Sequence, residues 1–321
     1  MPIGAVSAAL GLARPPAVEV PPPPQVPQEP AALQRYIEER EGAVPDLRSH
    51  LAKTIRWANP ARPARAPVAI VYLHGFAGSH RELVPVCERL AAEWEANIFH
   101  TRLAGHGRDG AALAEVGTAD WLADAREALA VGKRLGERVV VVGTSTGGTL
   151  ATWLAAAVDP PEVAAYVLVS PNFGPRHPLA ELLLLPGAEW WSPWIHGATH
   201  RFTPATEEHA RLVTPAFPTP ALVPMMRLVG LVRALDLGRA CRPTQALYCP
   251  GDRVVAPSAI RAAYRRLGAA RKELVPVEEP EDPARHTLAG DLLSPATTPE
   301  VLAAIRGFVG PVLAGEALAE A

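Results

Sequence analysis

The stretch VVVVGTSTGGTLATWLA, Val139 to Ala155, constrains the architecture of this chain more than any other. A valine run passes directly into Gly143, Thr144, Ser145, Thr146 and Gly147, and then into an alanine-rich segment. β-Branched residues favour a strand and the alanine-rich part favours a helix, so a sharp turn between them holds Ser145 near its apex. Small residues two before and two after Ser145 let strand and helix approach closely. The bend then forces the central side chain outward, above the carboxyl edge of a sheet. Such a hydroxyl also sits at a helix N-terminus, where unpaired N–H groups face a developing negative charge. The arrangement suits a nucleophile, while the plainer reading is a structural or phosphate-binding glycine turn.

The rest of the chain alternates in the same manner. A short helix from Pro30 precedes LAKTIRWAN, whose alternation suits an early strand. VAIVYLHG (Val68 to Gly75), NIFHTRL, RVVVVGT and VAAYVLVS (Val163 to Ser170) read as strands. Helix periodicity separates them over ELVPVCERLAAEW, despite Pro85, and over GTADWLADAREALAVGKRLG. This succession predicts an α/β fold with a mostly parallel central sheet flanked by helices. From Asn172 to Arg242 the alternation stops, and the proline-rich, partly aromatic stretch reads as a small insertion. The pattern resumes with Thr244 to Pro250, a helix over SAIRAAYRRLG with a basic wet face, the strand KELVPV, a loop holding His286 and a last helix over PEVLAAIRGFV. The predicted division is a tail over 1–30, a core over 31–171 and 243–321, and the insertion over 172–242. In the tail, PAVEVPPPPQVPQEP favours extended polyproline or disorder.

Composition removes several function classes. With 321 residues the chain can bury a sizeable core, and a net charge of -2 supplies no basic field for nucleic acid. Cys87, Cys241 and Cys249 form neither an even disulfide framework nor a CxxC pair, and read as small fillers in a reducing compartment. No His/Cys cluster has metal-ligand spacing, and no zinc, nicotinamide or phosphate-loop signature competes, so neither metal nor cofactor is expected. The apolar run near Met1 lacks a basic flank and is too short to span a bilayer. A cytoplasmic protein is therefore expected, with a degenerate export signal or membrane tether as the alternative.

A serine hydroxyl needs a base within reach and a carboxylate to hold that base. Among the histidines, His286 has the best address, in DPARHTLAGD between the last predicted strand and the last helix. The acid is expected in the turn CPGDRVVAP, at Asp252, with Asp282 and Glu279 as rivals because both lie near His286 in sequence. Ser, then Asp, then His is the order expected on such a sheet. The oxyanion donors would be the N–H of Thr146, directly after the serine, and the N–H of Phe76 in HGF, where Gly75 lets the backbone approach a ligand. HGF also fits a simple turn closing a strand.

HGF at 74, RLAGHGRD at 102, GTSTGG at 143, PGDRVV at 250 and RHTLAGD at 285 resemble the α/β-hydrolase superfamily. More narrowly they are similar to bacterial carboxylesterases, monoacylglycerol lipases and lysophospholipase-like serine hydrolases. The resemblance runs from about Pro67 to Leu313. It implies a nucleophile at Ser145, an acid at Asp252, a base at His286, and a lid between the sixth strand and the acid strand, where the insertion lies. It further implies hydrolysis of small carboxylic esters with short to medium acyl chains, monoacylglycerols or lysophospholipids among them. Thr146 departs from the Leu, Met or Gln common in this branch after the serine. A thioesterase or serine peptidase would use the same triad, and a binding protein could occupy the same scaffold. Two apolar stretches of the insertion, LLLLPGAEWWSPWIHG and LVPMMRLVGLVRAL, fit either an acyl-chain wall or packing onto the core.

Overall fold

The valine run 139–142 divides its side chains between two cores. In the computed structural model, which describes residues 18–20 and 22–315, these valines lie on β4, Gly136–Thr144. Val139 and Val141 join one buried cluster with Trp121, Leu122 and Leu150, whereas Val140 and Val142 join another with Val86, Leu90 and Ile305. A strand buried on both faces belongs inside a parallel sheet with helices on either side, which is why it reads as an unbroken apolar run.

The main sheet has seven strands: β1 (Thr54–Arg56), β2 (Ala66–Leu73), β3 (Asn97–His100), β4, β5 (Val163–Val169), β8 (Thr244–Tyr248) and β9 (Lys272–Pro276). Their order is β1-β3-β2-β4-β5-β8-β9, with β6 (Thr199–Arg201) and β7 (Ala216–Pro218) forming a separate antiparallel pair. Every neighbouring pair in the main sheet is parallel except β1 with β3. The chain runs outward from β2 to β3 and then returns to β4 on the other side of β2. The strand order therefore reverses at β2/β4, the place where α/β sheets open a crevice at their carboxyl ends. Gly75 follows β2 and Ser145 follows β4.

Three features differ from the sequence reading. The helix expected over 82–94 is divided: a 3-10 turn covers His80–Leu83 and the α-helix starts at Val86, because Pro85 cannot donate within a continuous helix. The insertion leaves the sheet after its fifth strand in chain order, β5, not after a sixth. The tail does not stay clear of the fold up to Pro30: Val26 is buried, and Val18 and Val20 pack against the larger core. Prolines hold this segment extended before it docks, which lowers the entropy its docking removes. Residues 1–17 of the expected tail lie outside the described residues.

The excursion between β5 and β8 has its own small core of Leu183, Ala188, Val223 and Met226, with Trp191 packed against it. Its helix Leu222–Ala234 also sends Leu228 and Val232 into the main core, so this stretch serves packing. Trp190 and Trp194 are 84% and 87% exposed, so they neither wall a pocket nor pack inward.

The N-terminal part is fastened by buried charge. Lys53 Nζ reaches Asp124 Oδ1 at 3.0 Å and also contacts Glu127, and Asp124 Oδ2 accepts from the Ala104 N–H at 2.6 Å. Burial would push the Lys53 ammonium down, but Asp124, Glu127 and Glu41 outweigh it and hold it above the usual lysine range. Removing the cation leaves the buried Asp124 carboxylate without its counter-ion, while Glu127 keeps Arg40 and the Tyr36 hydroxyl. Lys53→Met is expected to cost about 3–5 kcal/mol in urea unfolding. An unfolding midpoint equal to wild type would show that this cluster contributes nothing.

Candidate active site

Ser145 has φ 52° and ψ -114°, a conformation rarely adopted outside glycine. It is held there by three backbone hydrogen bonds: its N–H donates to Val169 O at 2.9 Å, and its carbonyl accepts from Thr149 N at 3.1 Å and Asn172 N at 3.0 Å. The flanking glycines are steric requirements. A Cβ at Gly147 would lie 1.9 Å from Leu73 O, and one at Gly143 would lie 2.4 Å from Gly147 O. Ser145 thus stands at the carboxyl edge of the sheet, directly after β4.

Asp252 follows β8 and is fully buried. Its Oδ1 accepts from the Val254 and Val255 amides at 2.7 and 2.9 Å, which fixes the carboxylate, and Oδ2 receives the His286 Nδ1–H at 2.8 Å. The rival Asp282 serves the loop instead, accepting from the backbone N–H groups of His286 and Thr287 at 2.9 and 2.8 Å. Glu279 is exposed to solvent. Ser170 Oγ donates to His286 O at 2.7 Å, next to the Val169 carbonyl that holds Ser145, so the histidine loop and the serine turn share one anchor. Among the described residues the Ser145 hydroxyl itself makes no hydrogen bond, and the structure joins Asp252 with His286 but does not close the link to Ser145. Such contacts are often long before substrate binds.

Burial by itself would lower the His286 pKa. The Asp252 hydrogen bond and charge, with Asp282 and Glu82 behind them, outweigh that effect and raise it above the ordinary histidine value.

The Phe76 and Thr146 amides stand at the ends of β2 and β4, and neither donates to an acceptor among the described residues. Phe76 is clamped edge-on by Trp121 and Phe217, with ring centroids at 5.8 and 5.1 Å. The Thr146 hydroxyl is buried without a hydrogen-bond partner. His74, in HGF, and His106, in RLAGHG, are scaffold. His74 Nε2 accepts from Leu103 N at 2.9 Å and His106 Nε2 from Ala77 N at 3.0 Å, with the rings 4.8 Å apart. Desolvation keeps both neutral, His106 down to about 4 and His74 well below its usual value. The signal was present in HGF and RLAGHG, but as two separate turns.

A sequence match to a family model covers residues 64–291 and carries the description Hydrolase_4, serine aminopeptidase, S33. The chain belongs to the Hydrolase_4 family. A thermostable monoacylglycerol lipase of Bacillus sp. strain H-257 is 26% identical over 231 residues, which is 68% of this chain and 84% of that protein. Among solved structures, one described under two metagenome-derived lipolytic enzymes, LipS and LipT, matches with a TM-score of 0.67 at 21% identity, over 83% of this chain and 98% of its own. A soluble variant of the Saccharomyces cerevisiae monoglyceride lipase in complex with a substrate analogue matches with a TM-score of 0.60 at 15% identity, over 81% and 91%. The fold of this family member is the α/β-hydrolase fold. Among the described residues, no helix is long and apolar enough to cross a membrane.

The electrostatics of the hydrolase pair give a measurable sign. Asp252→Asn removes the charge that raises the His286 pKa and leaves the desolvation that lowers it. The imidazole C–H resonances of His286 are expected to titrate above the ordinary histidine range in wild type and at distinctly lower pH in Asp252→Asn. Equal midpoints would mean that Asp252 does not set the charge of this ring.

Proposed function

We propose that this protein is a serine hydrolase of carboxylic esters, working through an acyl-enzyme on Ser145. The observation that carries the reading is the buried Asp252 carboxylate holding His286 Nδ1–H at 2.8 Å, on a loop tied to the strand that supports the strained Ser145. Asp252 fixes the ring so that Nε2 takes the Ser145 proton as the serine attacks the ester carbonyl. The Phe76 and Thr146 amides stabilise the resulting oxyanion, aided by the positive end of the helix Thr146–Trp153. His286 then protonates the departing alcohol, and in the second half-reaction it activates water to release the acid. The protein's own groups complete this cycle.

Residues 172–242 act as the lid in this reading, over the core 31–171 and 243–321. Phe217 on β7, lying edge-on to Phe76, provides an apolar surface beside the oxyanion loop. The substrates we favour are short to medium acyl esters, monoacylglycerols first, because the Bacillus relative is a monoacylglycerol lipase. The family description as a serine aminopeptidase supports one rival, cleavage of aminoacyl amides by the same three residues. The free thiols Cys87, Cys241 and Cys249 suit a reducing cytoplasm.

Activity on p-nitrophenyl esters of graded chain length, an acyl-CoA thioester and aminoacyl amides ranks these options. Wild type is expected to prefer esters and to be labelled by a fluorophosphonate, while Ser145→Ala loses about 10⁴-fold or more in kcat and all labelling. Because only neutral imidazole accepts the serine proton, kcat/KM is expected to rise with pH through the elevated His286 pKa. Amide turnover with negligible ester turnover would reject the ester reading in favour of a peptidase.

A further inference from the structure

Glu82 lies in the 3-10 turn His80–Leu83, outside the Ser-Asp-His set, and its carboxyl group reaches back under the loop after β2. Its Oε1 accepts from the Gly75 N–H at 2.6 Å and from the Tyr72 hydroxyl at 2.8 Å. Tyr72 Oη is in turn 3.0 Å from Thr144 Oγ1, on the residue directly before Ser145. Oε2 fills the space beside two glycines of the same loop. A Cβ at Gly78 would lie 2.4 Å from it, and one at Gly75 would lie 3.3 Å from both Oε2 and Ser145 Cβ. The backbone at Glu82 also meets the histidine loop: a Cβ at Gly290 would lie 2.6 Å from Glu82 O, and the Asp291 N–H donates to Val84 O at 2.8 Å. Loop, serine turn and histidine segment therefore converge on one short turn.

A carboxylate in this place needs a reason. Burial pushes the Glu82 carboxyl up to about 7, against the Gly75 amide, the Tyr72 hydroxyl and the His286 charge, which pull it down. A core packed for stability alone would place an apolar side chain here. What Glu82 supplies that an apolar residue cannot is an acceptor for the amide immediately before Phe76. A peptide plane whose N–H is fixed at Gly75 restricts the rotation of the next plane, the one carrying the Phe76 N–H.

We propose that Glu82 is a positioning residue: by holding the Gly75 amide, and Thr144 through Tyr72, it aims the Phe76 N–H at the oxyanion site beside Ser145. The inference rests on the oxyanion role given to Phe76 in the proposed function. Glu82 acts through Phe76 and donates no proton to the substrate. Gln at this position keeps an oxygen acceptor for both partners, Asp withdraws the carboxylate from Gly75 by one methylene, and Ala removes it.

The test compares wild type with Glu82→Gln, Glu82→Asp and Glu82→Ala by three measurements. These are amide hydrogen exchange of the peptide spanning 74–78, the rate of fluorophosphonate labelling, and kcat and KM on p-nitrophenyl butyrate. Thermal unfolding checks that each variant is folded. Glu82→Ala and Glu82→Asp are expected to accelerate exchange in 74–78 and to slow labelling and kcat by about 30-fold or more, with KM within about threefold, the pattern of a misplaced transition-state donor. Glu82→Gln is expected to stay within about threefold of wild type in every measurement, as rescue by a neutral acceptor requires. Should Glu82→Ala not fold, Glu82→Asp carries the comparison. Wild-type exchange and labelling in Glu82→Asp would overturn the proposal, as would a Glu82→Gln defect equal to that of Glu82→Asp. A wild type that is labelled but leaves esters intact would reject the ester substrate and still allow exchange and labelling to decide the role of Glu82.

Discussion

The structure depends on one close approach: Gly147 passes so near the end of β2 that a methyl group there would sit 1.9 Å from Leu73 O. This contact brings the helix after Ser145 against the strand that leads into the Gly75 loop. The backbone at Ser145 must bend into positive φ to make the turn, at a cost on the order of 1–3 kcal/mol. Hydrogen bonds from both sides, Val169 O to its amide and Thr149 and Asn172 N–H to its carbonyl, offset that cost. The strain is local and the compensation comes from β5, the residue Asn172 that follows it and the helix after Ser145, so the serine is placed by strand and helix together.

The second constraint is electrostatic, and the histidines make it visible. His74, His106 and His286 are all desolvated, which alone would keep each neutral. Of these three, only His286 has a buried carboxylate on its ring, and only His286 moves upward. The other two face backbone groups, with Leu103 N and Ala77 N as donors to their Nε2 atoms. Neutral rings serve as fixed acceptors for the loops that carry Phe76 and Gly105. One residue type thus performs two functions because its neighbours differ, and those neighbours come from distant parts of the chain.

That distance explains what could be read from the sequence. The strand and helix pattern was legible because burial on both faces of a parallel sheet imposes continuous apolar runs, as at 139–142. Ser145 was legible because its turn needs small residues at fixed offsets. Asp252 and Asp282 both satisfy the order Ser, Asp, His and could not be separated by residue chemistry, since each is an aspartate in a turn after a strand. Only the fold shows that one faces the imidazole while the other satisfies the His286 and Thr287 amides. Glu82 was hidden for a related reason: within ELVPVCERLAAEW it looks like a solvated helix residue, and its partners Gly75 and Tyr72, with Thr144 beyond Tyr72, come from the end of β2, the loop after it and the end of β4. The docking of Val26 was obscured by the prolines around it, which signal an extended backbone without saying what that backbone touches.

The segment between β5 and β8 bears on the same center through contacts that sequence patterns do not report. Thr214 N–H donates to Ala77 O at 2.8 Å, and Phe217 packs on Phe76 with ring centroids 5.1 Å apart. The loop that presents the Phe76 amide is therefore braced from below by Glu82 and from above by this segment. Ala77 itself has φ 58°, a conformation that needs such support on both sides. Movement of the segment would reach the amide through the Phe76 ring. In the proposed function, with this segment as the lid and the Phe76 amide as an oxyanion donor, opening the site and aiming its donor are one mechanical property of the fold, and a substitution at Phe217 would act on both together.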